Sequence, residues 1–307
     1  MIRRCCLPIL LGFWFALTMS ATAQQRADTS YQPEVANPRY PSAAGPRVAI
    51  DAGHHNFHTA EGRYAPFAAL LRADGYQVAG HGGAWTPVLL AEVDILVVAN
   101  ALAEANVRDW SNPVQPAFAA DEIEVLIHWV TSGGRLLLIA DHMPFPGAAA
   151  ALAQHCGVIM ENGFVFGPGG TGTLVFKADD GTLGDHPITR DPAIPFVVSF
   201  TGQGFTLDPA VKAEPLLVIP PQSVLVLPQE AWVFEEDTPR RSAGGMLQGA
   251  TIRLGEGRVV VFGEAAMFTS QTGEGGQAMG LDHPSAPHNA AFVRNVLRWL
   301  SEGLAAE

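Results

Sequence analysis

The sequence predicts an α/β fold built on a mostly parallel, doubly wound sheet, with a β-rich elaboration in its second half. Three observations lead there. Short continuous apolar runs such as Asp94-Ile95-Leu96-Val97-Val98-Ala99 have the composition of parallel strands covered on both faces. Between them lie segments whose apolar residues recur at helical spacing, joined by short links, and that alternation implies right-handed crossovers. From about residue 160 to residue 250 the chain becomes rich in Gly and Pro and carries only short apolar pieces.

In chain order, Val48-Ala49-Ile50 is a short buried strand ending at Asp51. A helix follows from about Tyr64 to Ala73, striped by Phe67, Leu70 and Leu71 and ended by Gly75. Tyr76-Gln77-Val78 opens the next strand. After the strand at 94–99, Asp121 and Glu124 have capping-box spacing at the start of a helix carrying Ile123, Leu126, Ile127 and Val130. Gly133-Gly134 stops it. Arg135 to Ala140 is a third strand, ending at Asp141, and Gly147 to Cys156 reads as an Ala-rich helix. Within the elaboration, strands are expected at 196–200, 216–219 and 224–227. Thr251 to Leu254 and Arg258 to Gly263 flank Gly255-Glu256-Gly257 as a hairpin. A helix from about Ala290 to Leu300 closes a single domain spanning 46–304, which a polar, Pro-containing linker at 24–45 precedes.

Residues 1–23 read as a secretory leader. Arg3 and Arg4 precede an apolar run too short to span a bilayer, and Ala21-Thr22-Ala23 places small residues where a signal peptidase reads. Cleavage after Ala23 and a periplasmic or secreted location are therefore expected. Cleavage leaves Cys156 as the one cysteine, so no internal disulfide can form, and its place after a run of alanines marks it as a buried small hydrophobe. A hydrophobic content of 48% is ample for a core. The formal charge of -12 and the lack of any Lys/Arg run argue against a nucleic-acid partner, and no later apolar segment is long enough to span a membrane.

Ligands of open parallel sheets bind beyond the carboxyl ends of the strands. There the polar residues collect. Asp51-Ala52-Gly53-His54-His55-Asn56-Phe57-His58-Thr59 follows the first strand, Asp141-His142 the third, and Glu264 the second strand of the hairpin. Asp282-His283 and His288-Asn289 precede the last helix. Imidazole and carboxylate bind zinc and similar ions and also serve as general acids and bases. The other account is that these groups cap helices, bridge loops or face water. His81, His128, His155 and His186 are read as structural or surface residues. Gly167 to Gly172 lacks the Lys and Ser/Thr order of a phosphate loop and is read as a turn.

The order Asp51, His54, Asn56, His58, Thr59, then Gly62-Arg63-Tyr64, then Gly133 to His142, then Gly263 to Phe268 resembles the DUF4350 group of exported bacterial proteins. That resemblance covers nearly the whole mature chain and implies a class I glutamine amidotransferase-like (flavodoxin-like) fold. It also implies His54 rather than His55 as the inward residue. Amidotransferases of that class carry a nucleophilic Cys where this chain has Asp141-His142, so Cys-dependent chemistry is not expected. The expectation is a metal-assisted hydrolase or lyase acting on a small polar, carbohydrate-like substrate. Asp51, His54 and His58 would hold a divalent metal, zinc by preference. Asp141, His142 and Glu264 would be catalytic, and Asn56, Thr59 and His288 would contact substrate. The alternative is a non-catalytic module that binds a glycan, peptide or partner protein, with Trp85 and Trp110 as stacking platforms.

Overall fold

The computed structural model describes residues 25–273 and 276–304; the expected leader and its cleavage point after Ala23 lie outside them. Strands β1 (Arg47–Asp51), β2 (Gln77–His81), β3 (Ile95–Ala99) and β4 (Arg135–Ile139) alternate with helices α1 (Ala65–Ala73), α2 (Pro87–Leu90), α3 (Ala120–Thr131) and α4 (Phe145–His155). Five further strands complete one nine-stranded sheet: β5 (Val158–Met160), β6 (Phe205–Leu207), β7 (Lys212–Val218), β8 (Leu247–Leu254) and β9 (Gly257–Phe262). Helix α5 (Asn289–Ser301) packs near the chain's end. The sheet runs β2-β1-β3-β4-β9-β8-β6-β5, with β7 also paired to β8. The pairs from β2 through β9 are parallel, and those beyond are antiparallel, so the expected mostly parallel sheet is parallel on one side and antiparallel on the other.

The apolar runs of the parallel strands are explained by burial on both faces. Alternating side chains feed two separate cores. Val48, Ile50, Ile95, Val97, Leu137, Ile139, Val260 and Phe262 pack with residues of α1 and α5. Ala49, Leu96, Val98, Leu136, Leu138, Val259 and Val261 pack with residues of α2, α3 and α4. The expected hairpin forms as β8 and β9, with Gly255 at φ 60° in its turn. Helix α4 begins at Phe145, earlier than the glycine the pattern suggested, because Pro146 is tolerated in a first turn that needs no N–H partner.

The elaboration is β-rich as expected. Phe164–Phe166, Val224–Val226 and Arg240–Ser242 form a three-stranded sheet, and Thr173–Lys177 pairs with Phe196–Phe200. In the segment read as a linker, Arg26–Ala27 pairs with the strand Ser270–Thr272, and Tyr31 and Val35 pack on the core. Among the described residues no helix is long and apolar enough to cross a membrane.

Strand order reverses between β1 and β3, because β2 lies on the outer side of β1. In open α/β sheets this switch point opens a crevice at the carboxyl ends of the strands. Asp51, Asn100, Asp141 and Glu264 stand at or just past the carboxyl ends of β1, β3, β4 and β9.

Candidate functional site

The turn after β1 folds back on itself. Gly53 permits this, since a Cβ there would come within 2.3 Å of the Gly83 carbonyl oxygen. His54 then turns inward, while His55 is exposed at φ 46°. His54 Nδ1–H donates to Asp51 Oδ2 at 2.9 Å, and Nε2–H donates to Glu122 Oε1 at 3.2 Å. Both acceptors are carboxylates, so both ring nitrogens carry protons and the ring is an imidazolium. Burial opposes that charge, but hydrogen bonding and attraction from Asp51, then from Glu122, outweigh it and raise the His54 pKa above its ordinary 6.5. The ring lies between Trp85, 4.6 Å away, and Phe118, 5.0 Å away. Trp85 Nε1–H also donates to Asp51 Oδ1 at 3.3 Å.

His58 occupies a different setting. Asn100, in the left-handed region at φ 50°, accepts the Asp141 N–H on its Oδ1 at 2.9 Å and donates from Nδ2 to His58 Nδ1 at 3.1 Å. The proton of His58 is therefore on Nε2, which faces the Gln271 side-chain amide. Turning that amide so that its otherwise unpartnered Oε1 accepts completes the pair. Burial first, then the charges of Arg63 and His142, hold the His58 pKa well below the usual imidazole range, so this ring is neutral.

Asp141 and Glu264 share one backbone turn. Ala265 N–H donates to Asp141 Oδ2 at 3.3 Å, and Ala266 and Met267 N–H donate to the two oxygens of Glu264 at 2.7 and 2.9 Å. Tyr64 Oη–H donates to the Ala265 carbonyl from the other side, with its ring 4.6 Å from His58. Burial, then repulsion from Asp141, pushes the Glu264 pKa well above its ordinary value; burial also raises Asp141. Two such neighbours titrate as a pair.

His142 stands on the turn between β4 and α4. Its Nδ1–H donates to the Met143 carbonyl at 2.7 Å. A carbonyl can only accept, so Nδ1 keeps its proton, and among the described residues Nε2 has no hydrogen-bond partner. The half-buried ring stacks on Phe164 at 4.7 Å and meets Trp232 edge-on at 4.7 Å, with Phe145 and Trp110 at 5.8 and 6.3 Å. An imidazole with one free nitrogen in an aromatic surround can accept or deliver a proton beside a bound ring.

The structure thus gathers His58, Asp141, His142 and Glu264, and it pairs Asp51 with His54 beside them. Asn56 holds the turn, accepting the His54 N–H at 3.1 Å. The Thr59 carbonyl accepts from Gly62 and Tyr64 at the entrance to α1. His288 packs its ring on Phe196 and takes no part in the cluster. The residues proposed as metal ligands do not fit that role as they stand. Both ring nitrogens of His54 face carboxylates, those of His58 face amides, and no group of three or more His, Cys, Asp or Glu among the described residues is placed to hold an ion. Trp85 is buried against Asp51 rather than offered as a platform, while Trp110 is half-buried at the His142 bowl.

Glu122, Asn100, Tyr64 and Gln271 were not anticipated. Glu122 was hidden by the capping reading, because α3 starts at Ala120 and it is Glu122 Oε2, not Glu124, that accepts the Ala119 N–H at 3.2 Å. The position of Asn100, one residue past a strong strand, was the available signal. Cys156 is fully buried, and burial pushes its thiol up to about 12. We expect iodoacetamide to leave it unmodified in the folded protein, as intact-mass measurement would show, and to modify it only after unfolding.

No family model and no curated protein sequence matches the chain. Among solved structures it is similar to the mmIFT52 N-terminal domain, with TM-score 0.58 and 15% identity over 84% of this chain and 99% of that one. It is also similar to a cytoplasmic protein of Salmonella typhimurium LT2, with TM-score 0.50 and 15% identity over 83% and 98%. A ThuA-like protein from Bacteroides uniformis matches with TM-score 0.48 and 13% identity over 88% and 95%. At these identities the likeness speaks to fold alone, that of a mixed α/β chain with a parallel-rich sheet.

Proposed function

We propose that the chain is a hydrolase or lyase for a small polar substrate in which His142 Nε2 is the proton-transferring atom. One observation carries this reading. Of the three candidate histidines at the strand ends, His142 alone keeps a ring nitrogen free and is half-exposed, while His54 and His58 are consumed by structural partners. The Met143 carbonyl sets the tautomer that leaves Nε2 as the base. Trp110 and Trp232, both half-buried beside the ring, would take one face of the substrate, with buried Phe145 and Phe164 beneath them. Asp141, whose Oδ1 accepts the His142 N–H at 2.7 Å, fixes the turn beneath.

The test is hydrolysis of chromogenic glycosides and esters by wild type and His142→Gln. The expected result is a fall in kcat of about a hundredfold or more with thermal stability retained. Turnover unaffected by the substitution would contradict the reading. The saturation of the remaining polar groups favours a second reading, a non-catalytic module that binds a glycan, peptide or partner on the same bowl; it is marked by ligand binding without turnover. We infer further that the chain is one of the DUF4350 group, with the doubly wound amidotransferase-like arrangement, and that it acts outside the cytoplasm. Its motif order and the leader-like residues 1–23 support this. N-terminal sequencing of the exported protein should begin at Gln24.

A further inference from the structure

Arg63 is a cation close to the His142 site that takes no part in holding the histidines there. It is half-buried, and its guanidinium carbon lies 3.6 Å from the Phe57 ring centroid. Nε–H donates to the Gln25 carbonyl at 3.1 Å and Nη1–H to the Phe57 carbonyl at 3.5 Å. Among the described residues no Asp or Glu forms an ion pair with it, although the chain carries a formal charge of -12. A partly desolvated cation without a counter-charge is costly, and carboxylates are abundant in this sequence. Its position ties it to the site. Phe57 packs on Trp110 at 5.6 Å and on Phe145 at 5.5 Å, and both of those rings also approach His142. His58 lies close enough to Arg63 for the guanidinium's charge to oppose its protonation.

We propose that Arg63 selects the ligand of the His142 site by pairing with a carboxylate on it, so that the substrate class is a small carboxylic acid with a ring or other flat face. This rests on His142 marking the ligand site, though not on its being catalytic. The outer edge of a guanidinium matches a carboxylate in a two-point fork. Half-buried Trp110, packed on Phe57, supplies a flat face nearby. A phosphate dianion is disfavoured, because Arg63 offers a single guanidinium and the acidic Asp141–Glu264 pair belongs to the same cluster.

Calorimetric titration of the full chain with D-glucuronate and its neutral match D-glucose, and with benzoate and its neutral match benzyl alcohol, tests this; inorganic phosphate is the third arm. The expected result is that at least one carboxylate binds wild type more tightly than its neutral match. Arg63→Met should weaken that carboxylate about tenfold to a hundredfold and leave the neutral match unchanged, with Arg63→Lys in between. His142→Gln should retain the carboxylate preference even where turnover is lost, which separates this proposal from the catalytic one. Equal binding of each carboxylate and its neutral match, no binding by either carboxylate, tighter binding of phosphate, or a preference that survives in Arg63→Met would overturn it. Should Arg63→Met fold poorly, Arg63→Lys decides: it keeps the charge but loses the fork, so an unchanged carboxylate preference there would also overturn the proposal.

Discussion

Asp51→Ala is expected to destabilise the protein by about 3–5 kcal/mol, the cost of breaking a buried ion pair from one side. His54 would be left an imidazolium at 7% exposure, and Trp85 Nε1–H would lose its acceptor. For a chain of this size that is a fall in melting temperature on the order of 10 °C. The effect depends on pH in a direction fixed by His54. Its folded pKa is raised above the ordinary 6.5, so the clamp's stabilisation is fully present below that value and fades as pH rises through the raised one. The gap between wild type and Asp51→Asn should therefore be widest in mild acid and shrink in base. Urea titrations across that range measure it, and a gap that widens with pH would contradict a charged His54. Glu122→Ala should cost less, since its side chain is partly exposed and Asp51 would remain.

The second large effect concerns Glu264. Glu264→Ala leaves the Ala266 and Met267 N–H groups buried without acceptors, at about 1–3 kcal/mol each, and a loss of at least about 3 kcal/mol is expected. The pH trend is again signed. The folded pKa of Glu264 is raised well above its ordinary value of 4.5. Its contribution is thus present in acid below that ordinary value and is lost as pH rises through the folded one. Glu264→Gln, which cannot ionise and keeps one acceptor oxygen, should gain on wild type as pH rises. Chemical denaturation of both proteins across the acid-to-neutral range is the check. A wild type that gains on Glu264→Gln with rising pH would mean that the Asp141–Glu264 pair is fully ionised and well solvated.

The parts of this site that could be read from sequence were those fixed by one strong local pattern. Asp51, Asp141 and Glu264 each end an apolar run, and where the strands are parallel such residues must gather at one edge of the sheet. The partners came from elsewhere. Asn100 ends its strand without an acidic or histidine flag. Glu122 depends on where α3 starts, and an exposed-looking Asp121 offered an equally good cap. Trp85 sits in a short link between Gly83 and α2, where sequence gives no sign of burial; it is buried because His54 and Phe118 close over it. Whether the histidines are arranged for a metal was not legible for a related reason. A dense run of histidines shows that imidazoles are near one another, and only the fold decides which of their nitrogens are already taken.

Imidazole nitrogen NMR of the histidine-labelled protein at mildly alkaline pH tests the central claim most directly. The account predicts that His142 carries its proton on Nδ1 and a bare Nε2, and that His58 shows the opposite tautomer. A His142 protonated on Nε2 with a bare Nδ1 would contradict it, because the atom assigned to proton transfer would then be occupied and the Met143 contact absent.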